Sequence, residues 1–171
     1  PIVCGGEHAT AAPESSLSSA PALAACALGE GEETVVDLAD AVAAGRSLST
    51  VAGLMLRGEG STFVRTAPRA RIRALDEIPL PRWDLTPIGA YLDAGLSFGV
   101  DRGRTMPLLA TRGCPYQCTF CSSPQMWTTR YATREPARVV EEIEGYVARF
   151  GARNIDFYDL TAIIRREWIL E

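Results

Sequence analysis

Apolar residues in the first 50 positions form short runs that alternate with helical spacing. Residues 2–4 and 24–28 are runs of strand length, and glycines follow both. Residues 13–20 are a weaker helix candidate between them. Residues 32–44 predict a second helix, with glutamates at its start and Gly45 at its end. Its apolar face is expected to comprise Val35, Leu38, Ala39 and Val42. This order of strands and helices predicts a parallel, doubly wound α/β sheet.

The middle of the chain has a different pattern. Residues 51–57 and 62–65 flank a Gly-Glu-Gly-Ser turn and predict a short hairpin. Farther on, Pro79, Pro81 and Pro87 alternate with large apolar residues. So many large apolar side chains favour an ordered connecting segment over a flexible linker.

A strand, helix, strand order returns after residue 104. Residues 107–111 and 154–159 are strand candidates, residues 136–150 predict a long amphipathic helix, and residues 165–170 begin another helix. The apolar face predicted for the long helix comprises Val139, Ile143, Tyr146, Val147 and Phe150. The glutamates expected on its opposite side are Glu141, Glu142 and Glu144.

Composition limits the class of protein. The 171 residues include 17 basic and 21 acidic side chains, a net charge of −4, and 47% hydrophobic residues, which is typical of globular proteins. The mild acidity gives no electrostatic reason to bind nucleic acid. No apolar run approaches the roughly 20 residues of a membrane span. We therefore expect a soluble, cytoplasmic protein, and the non-methionine start at Pro1 suggests an internal piece of a longer chain.

Three of the five cysteines lie within eight residues. Cys114, Cys118 and Cys121 follow a predicted strand, and thiolates are the usual ligands of iron–sulfur clusters. A 4Fe-4S cluster takes four ligands, so a loop that supplies three leaves one iron open. Gly113 lets the backbone pass closely, and Arg112 adds positive charge that stabilises thiolates.

Two other metal sites remain possible at this stage. A structural zinc ion would need Cys4, Cys26 or His8 as its fourth ligand, and an electron-carrier cluster would need a fourth cysteine, Cys4 or Cys26. The zinc alternative predicts a non-catalytic binding module. A redox CxxC motif would leave Cys114 without a role.

The CxxxCxxC spacing, with Phe120 before the last cysteine, resembles the signature of the radical S-adenosylmethionine (SAM) superfamily. This resemblance implies a 4Fe-4S cluster on the three cysteines, with SAM on the free iron. It also implies reductive cleavage of SAM to a 5'-deoxyadenosyl radical, a small-molecule substrate, and an electron donor such as flavodoxin or ferredoxin. The implied fold is a full or partial (β/α) barrel.

The same resemblance suggests further cofactor-binding residues. Tyr116 and Phe120 lie within the loop, and Asp159 ends the second strand, where it could reach the amino group of SAM. Asp159 could equally be a turn former before Thr161. The Gly-Gly-Glu sequence of many superfamily members is absent; Tyr158 and its neighbours stand there instead.

The N-terminal part resembles the C-terminal half of the cobalamin-binding domain that precedes many radical SAM barrels. The implied cobalamin contacts are the glycines that close the strands: Gly5, Gly6, Gly29 and Gly31. Ordinary βα turns use glycines as well. His8 lacks the sequence setting of a cobalt ligand and is expected at a turn or on the surface.

The two resemblances together predict three segments. Residues 1–50 are the C-terminal part of a Rossmann-like cobalamin-binding domain, residues 51–103 connect, and residues 104–171 begin a radical SAM partial barrel. The chain resembles cobalamin-type radical SAM proteins grouped with the anaerobic magnesium-protoporphyrin monomethyl ester cyclase. Methylation, cyclisation and rearrangement of an organic substrate all remain open.

Overall fold

The computed structural model describes residues 1–97, 102–161 and 164–171. The sequence predictions at positions 98–101 and 162–163 lie outside the described residues. In chain order the elements are β1 (Ile2–Cys4), α1 (Glu7–Ala11), α2 (Pro13–Ser19), β2 (Leu23–Ala27), α3 (Glu32–Ala43), β3 (Leu54–Arg57), β4 (Phe63–Arg65), α4 (Ile88–Asp93), β5 (Thr105–Leu108), β6 (Thr111–Arg112), α5 (Ser123–Trp127), β7 (Ala132–Thr133), α6 (Pro136–Phe150), β8 (Asn154–Phe157) and α7 (Arg166–Leu170). Short 3-10 turns lie at Leu48–Thr50, Leu75–Glu77 and Trp83–Leu85.

The chain forms two compact units. The first unit consists of residues 1–73 and 114–130, and the second unit consists of residues 74–113 and 131–171. The cysteine-rich segment therefore packs with the N-terminal residues. The three segments predicted from the sequence stay predictions, because compact units in one part of a protein are not the same as its domains.

The first unit contains a four-stranded sheet in the order β1-β2-β3-β4. β1 and β2 run parallel, with Cys4 opposite Cys26, which confirms the Rossmann-like α/β prediction. The predicted hairpin is present as β3 and β4, and it extends this sheet because β3 pairs with β2. The sheet is therefore mixed and not purely parallel, since the hairpin strands run antiparallel to their neighbours.

Helices cover both faces of this sheet. On one face, Ala25 and Ala27 of β2 pack in a buried cluster with α3. On the other face, Cys26 packs with Ala9 of α1 and Leu17 of α2. Successive side chains of a strand point to opposite faces, so β2 joins two apolar layers. This arrangement is the doubly wound packing predicted from the sequence.

The predicted apolar face of α3 is partly wrong. Leu38 is buried as expected, but Val35 and Val42 are exposed, and the other buried residues are Thr34 and Ala41. Positions 34, 38 and 41 also share one helix face. The small side chains of Thr34 and Ala41 let α3 pack against the alanine-rich strand β2. The spacing of the valines had predicted that a neighbouring face of α3 is buried.

The second unit contains the parallel pair β5 and β8, joined through α6. Their register runs from Thr105 opposite Asn154 to Leu108 opposite Phe157. Met106 is fully buried in the core beneath α6. This βαβ order agrees with the start of a (β/α) arrangement, as expected from the sequence.

The predicted polar side of α6 needs one correction. Glu142 was expected on the outer face, but its exposed fraction is only 4%. Conversely, Val147 of the predicted apolar face is exposed, while Val139 and Tyr146 are buried as predicted. Glu142 is buried because charged and hydroxyl partners surround its carboxylate, and helical periodicity does not detect such partners.

Residues 75–93 of the connecting segment form two 3-10 turns and helix α4, as their proline and apolar content predicted. Leu75 is buried at the first 3-10 turn, and Trp83 packs against the core of the second unit. Leu80 and Leu85 are exposed. The segment thus contributes some of its large apolar side chains to the core.

Replacement of Leu17 tests the core of the first unit. Leu17 is fully buried between α2 and the sheet. Leu17→Ala should lower the free energy of unfolding by about 2–5 kcal/mol, because it removes buried methyl groups and leaves a cavity. Denaturant unfolding followed by circular dichroism measures this loss. Val35→Ala, at an exposed site on α3, is the control and should stay within about 0.5 kcal/mol. Equal effects of the two changes would contradict the packing described.

Candidate functional site

A short antiparallel ladder closes the base of the cysteine loop. β6 pairs with β7, with Thr111 opposite Thr133 and Arg112 opposite Ala132. The chain leaves this ladder at Gly113, which has a φ of +84°, a conformation that favours glycine. The ladder thus holds together the two ends of the segment that carries the three cysteines.

The three loop cysteines are accessible thiols. Cys118 is exposed, Cys114 and Cys121 are half-buried, and no disulfide involves any of them. The amide of Cys121 donates a hydrogen bond of 3.0 Å to the carbonyl of Cys118, which forms the turn of the CxxC sequence. Three accessible thiols on one short turn-rich loop fit the donor set of a 4Fe-4S cluster.

The side chains do not form a preformed metal cage. Within residues 1–97, 102–161 and 164–171, no group of three or more His, Cys, Asp or Glu side chains is arranged to hold a metal ion. The two aromatic residues of the loop are open as well: Tyr116 is exposed, and Phe120 has an exposed fraction of 91%. The donor chemistry and the accessibility of the loop are therefore the properties that suit it to a cluster.

The two remaining cysteines face each other inside the first unit. The sulfur atoms of Cys4 and Cys26 are 3.3 Å apart, and Cys26 is fully buried. Burial, together with the hydrogen bond to Cys4, raises the pKa of Cys26 to about 12. A protonated, buried thiol is a poor metal ligand. His8, the other candidate for a fourth ligand, is exposed on α1.

The glycine turns at the carboxyl ends of β1 and β2 lie together. Gly6 and Gly29 both have positive φ angles, +92° and +73°. The Thr10 hydroxyl donates to the carbonyl of Gly6 at 2.8 Å and accepts a hydrogen bond of 3.0 Å from the amide of Gly29. Gly5 precedes the first turn, and Gly31 begins α3. The structure thus brings the predicted glycines to one edge of the sheet, as expected for parallel strands.

A cavity of about 410 Å³ opens beside Gly29 within the first unit. Glu30 is buried at its wall and accepts a hydrogen bond of 2.7 Å from the amide of Ile72. Arg71 lies 3.9 Å from the Glu30 carboxylate and donates to the carbonyl of Arg130. Sequence analysis missed Glu30, since a charged residue between two glycines is typical of an exposed turn, and it missed Arg71, which lies in no motif.

Asp159 follows β8 and binds the segment that follows β5. Its carboxylate accepts a hydrogen bond of 3.2 Å from the amide of Ala110 and another from the Thr111 hydroxyl. Burial raises the pKa of the nearby Tyr131, and the negative charge of Asp159 adds to this effect. Asp159 therefore lies at the carboxyl ends of both parallel strands, where a role in SAM binding stays a prediction.

Arg134 fixes the start of the ladder. Its guanidinium donates to the carbonyl of Leu109 at 3.2 Å and to the carboxylates of Glu142 and Asp76. Its amide donates to the carbonyl of Ala110 at 3.0 Å. One residue thus ties the backbone that precedes the cysteine loop to α6.

Aromatic side chains complete the network around the buried Glu142. The Tyr146 hydroxyl donates to Glu142, and the indole N–H of Trp83 donates to Tyr146 Oη at 3.0 Å. Burial and the adjacent Glu142 raise the pKa of Tyr146 well above its usual value. Both side-chain partners of the Glu142 carboxylate, Arg134 and Tyr146, donate hydrogen bonds to it, as the burial of a polar group requires.

Among the described residues, no helix combines the length and the apolar character needed to cross a lipid bilayer.

The fold and the loop define a class: an α/β protein with a Rossmann-like sheet and a three-cysteine loop at the start of a βαβ unit. No protein-family model matches the chain. An uncharacterised methyltransferase of Pyrococcus horikoshii is 36% identical over 166 residues, which are 97% of this chain and 34% of the relative. The anaerobic magnesium-protoporphyrin IX monomethyl ester cyclase of Cereibacter sphaeroides is 35% identical over 172 aligned positions, with 99% of this chain and 27% of the relative covered.

A solved structure shares this fold. It is the radical SAM methyltransferase TsrM of Kitasatospora setae with cobalamin and a [4Fe-4S] cluster bound, with a TM-score of 0.65 and 25% identity over 94% of this chain and 30% of that chain. The chain is thus similar in sequence to these two relatives and shares the fold of a radical SAM methyltransferase that binds cobalamin and a cluster, in agreement with the resemblance seen in the sequence. It spans about a third or less of the length of these proteins.

Loss of Arg134 tests the buried network. Arg134→Gln leaves the Glu142 carboxylate buried without its cation, which should cost about 3–5 kcal/mol in the free energy of unfolding. Arg138→Gln is the matched control, because Arg138 pairs with Glu141 on the exposed side of the same helix. The midpoint of denaturant unfolding should fall for the first variant only. A full wild-type midpoint for Arg134→Gln would rule out the network as described.

Thiol labelling tests the difference between the loop cysteines and the sheet cysteines. With iodoacetamide at pH 8, the exposed Cys118 should react first, whereas Cys26 should stay unmodified because it is buried and its pKa is raised to about 12. Peptide mass spectrometry gives the order of modification, and the urea-unfolded chain, with all five thiols open, is the control. Early alkylation of Cys26 in the folded protein would contradict this assignment.

Proposed function

We propose that this chain is part of a radical SAM enzyme that binds a 4Fe-4S cluster and SAM, with cobalamin held by its Rossmann-like sheet. The observation that carries the proposal is the accessible Cys114, Cys118 and Cys121 loop, set on a β6–β7 ladder at the start of a βαβ unit. The complete enzyme modifies an organic small molecule by methylation, cyclisation or rearrangement.

The three loop cysteines are the residues that would hold the cluster. Held by these thiolates, a reduced cluster would supply one electron for the reductive cleavage of bound SAM. The protein itself fixes the loop: Arg134 and the ladder hold its ends, and Gly113 turns the chain into it. The buried Cys26, with its raised pKa, disfavours a fourth protein ligand from the sheet.

SAM-binding roles are proposed for residues near the carboxyl ends of β5 and β8. The Asp159 carboxylate is held in place by the Ala110 amide and Thr111, and an oriented carboxylate suits the amino group of SAM. Tyr116 and Phe120 are open aromatic side chains in the loop, suited to contact with a bound cofactor.

Cobalamin binding is proposed at the carboxyl edge of the first sheet. Gly5, Gly6, Gly29 and Gly31 keep side chains away from this edge, so a bulky ligand can approach the backbone there. The TsrM methyltransferase, with a similar fold, holds cobalamin and a cluster, which supports this assignment.

The names of two relatives favour methylation and cyclisation as candidate reactions. One is named a methyltransferase and the other a magnesium-protoporphyrin ester cyclase. We propose that an external one-electron donor, such as flavodoxin or ferredoxin, reduces the cluster, and that the enzyme works in the cytoplasm. The segments 1–50, 51–103 and 104–171 are the proposed cobalamin-binding, connecting and barrel parts.

Anaerobic reconstitution with iron and sulfide tests the cluster. The wild-type chain should bind about four iron atoms and give an electron paramagnetic resonance signal when reduced, in keeping with a cubane cluster. Cys114→Ser, Cys118→Ser and Cys121→Ser should each lose the cluster. Cys26→Ser should retain it, because Cys26 lies in the sheet core. Iron counting and the resonance spectrum are the measurements.

Addition of SAM tests the open iron. The spectrum of the reduced wild-type cluster should change when SAM is added. If the spectrum does not change when SAM is added, the cluster is an electron carrier with four protein ligands. Zinc in tetrahedral sulfur coordination after anaerobic purification would indicate a structural binding module instead.

A further inference from the structure

Helix α5 connects the cysteine loop to the N-terminal helix α1 inside the first unit. Ser122 comes directly after the third cysteine, and its hydroxyl donates to the Glu7 carboxylate at the start of α1. Four residues farther on, Met126 places its sulfur 3.5 Å from the Thr10 hydroxyl oxygen. The segment that follows Cys121 is thus held by two residues of α1.

Thr10 also joins the two glycine turns. Its hydroxyl donates to the Gly6 carbonyl and accepts from the Gly29 amide, as described above. Helix α5 approaches the second turn closely, since a Cβ built on Gly29 would lie 3.8 Å from the carbonyl oxygen of Met126. The side chain of Thr10 therefore contacts both turns and the helix that follows the cysteine loop.

A ligand on the glycine turns would act on these contacts. Any molecule that lies against the backbone of Gly6 and Gly29 must fix the relative position of the two turns. Because Thr10 is bonded to both, its hydroxyl is ordered together with them. The contact of Thr10 with Met126, and that of Glu7 with Ser122, carry this order from α1 to the residue after Cys121. Chains of contacting side chains carry coupling of this kind, and here the chain consists of Thr10 and Met126.

We propose that Thr10 and Glu7 are positioning residues that couple cobalamin binding at the glycine turns to the state of the cysteine loop. The proposal rests on the function proposed above. Filling of the cluster site should tighten cobalamin binding, and by thermodynamic reciprocity cobalamin should tighten cluster binding by the same factor. Neither residue touches the reacting atoms; each acts through α5.

The test is a titration of the intact protein with hydroxocobalamin, followed by its visible absorption. The dissociation constant is measured once with the cluster reconstituted and once without it. The wild-type ratio of the two constants should fall in the range of about 5- to 150-fold that is usual for coupled sites. In Thr10→Val, which keeps the shape and removes the hydroxyl, the ratio should fall close to one.

Matched variants separate coupling from folding. Thr10→Ser retains the hydroxyl and should restore the wild-type ratio. Thr50→Val makes the same chemical change at a hydroxyl that bonds only locally, to Ser47, and should leave the ratio unchanged. Glu7→Ala removes the acceptor of Ser122 and should lower the ratio, as Thr10→Val does. Iron content and circular dichroism of each variant show that the cluster and the fold are retained.

The outcomes distinguish the two proposals. If wild-type protein binds both cofactors with a ratio near one, or if Thr10→Val keeps the full wild-type ratio, the coupling is wrong while the proposed function stands. If wild-type protein takes up no cluster or no cobalamin, the proposed function fails, and the coupling fails with it.

Discussion

The buried ion pair between Arg134 and Glu142 is the interaction on which the second unit depends. Glu142 lies on the buried face of α6, a helix that is otherwise amphipathic. A carboxylate at such a place is stable only when its charge is balanced. Arg134 supplies that balance, and the same guanidinium binds the carbonyl of Leu109. The electrostatic requirement of one buried acid therefore also fixes the backbone from which the cysteine loop leaves.

Much of the fold follows from local patterns. The apolar run that became β2 and the helical spacing that became α3 and α6 were visible in the sequence, because strand and helix periods differ. The errors have a common cause. Helical periodicity predicted that Val42 is buried and Glu142 is exposed, and both predictions are wrong. The alanine-rich strand β2 packs against small side chains of α3, and the buried Arg134 pairs with Glu142.

The candidate site likewise contains residues that local patterns predict and residues that they do not. Cys114, Cys118 and Cys121 lie within eight residues, so their spacing alone predicts that they share one metal or cluster site. Thr10, Glu30 and Arg134 gain their roles from partners distant in the chain, and no local motif identifies them. The glycines at strand ends are an intermediate case. The sequence identifies them, but it does not distinguish a tight turn from a ligand site, because both require the freedom of φ that glycine has.

The contact between Ser122 and Glu7 joins residues that are 115 positions apart in the chain. Contacts of such long range form late, since the intervening chain must lose entropy before they are made. The N-terminal sheet is built from neighbouring segments and has no such delay. We therefore expect the segment that follows Cys121 to dock against α1 only after the N-terminal sheet has formed.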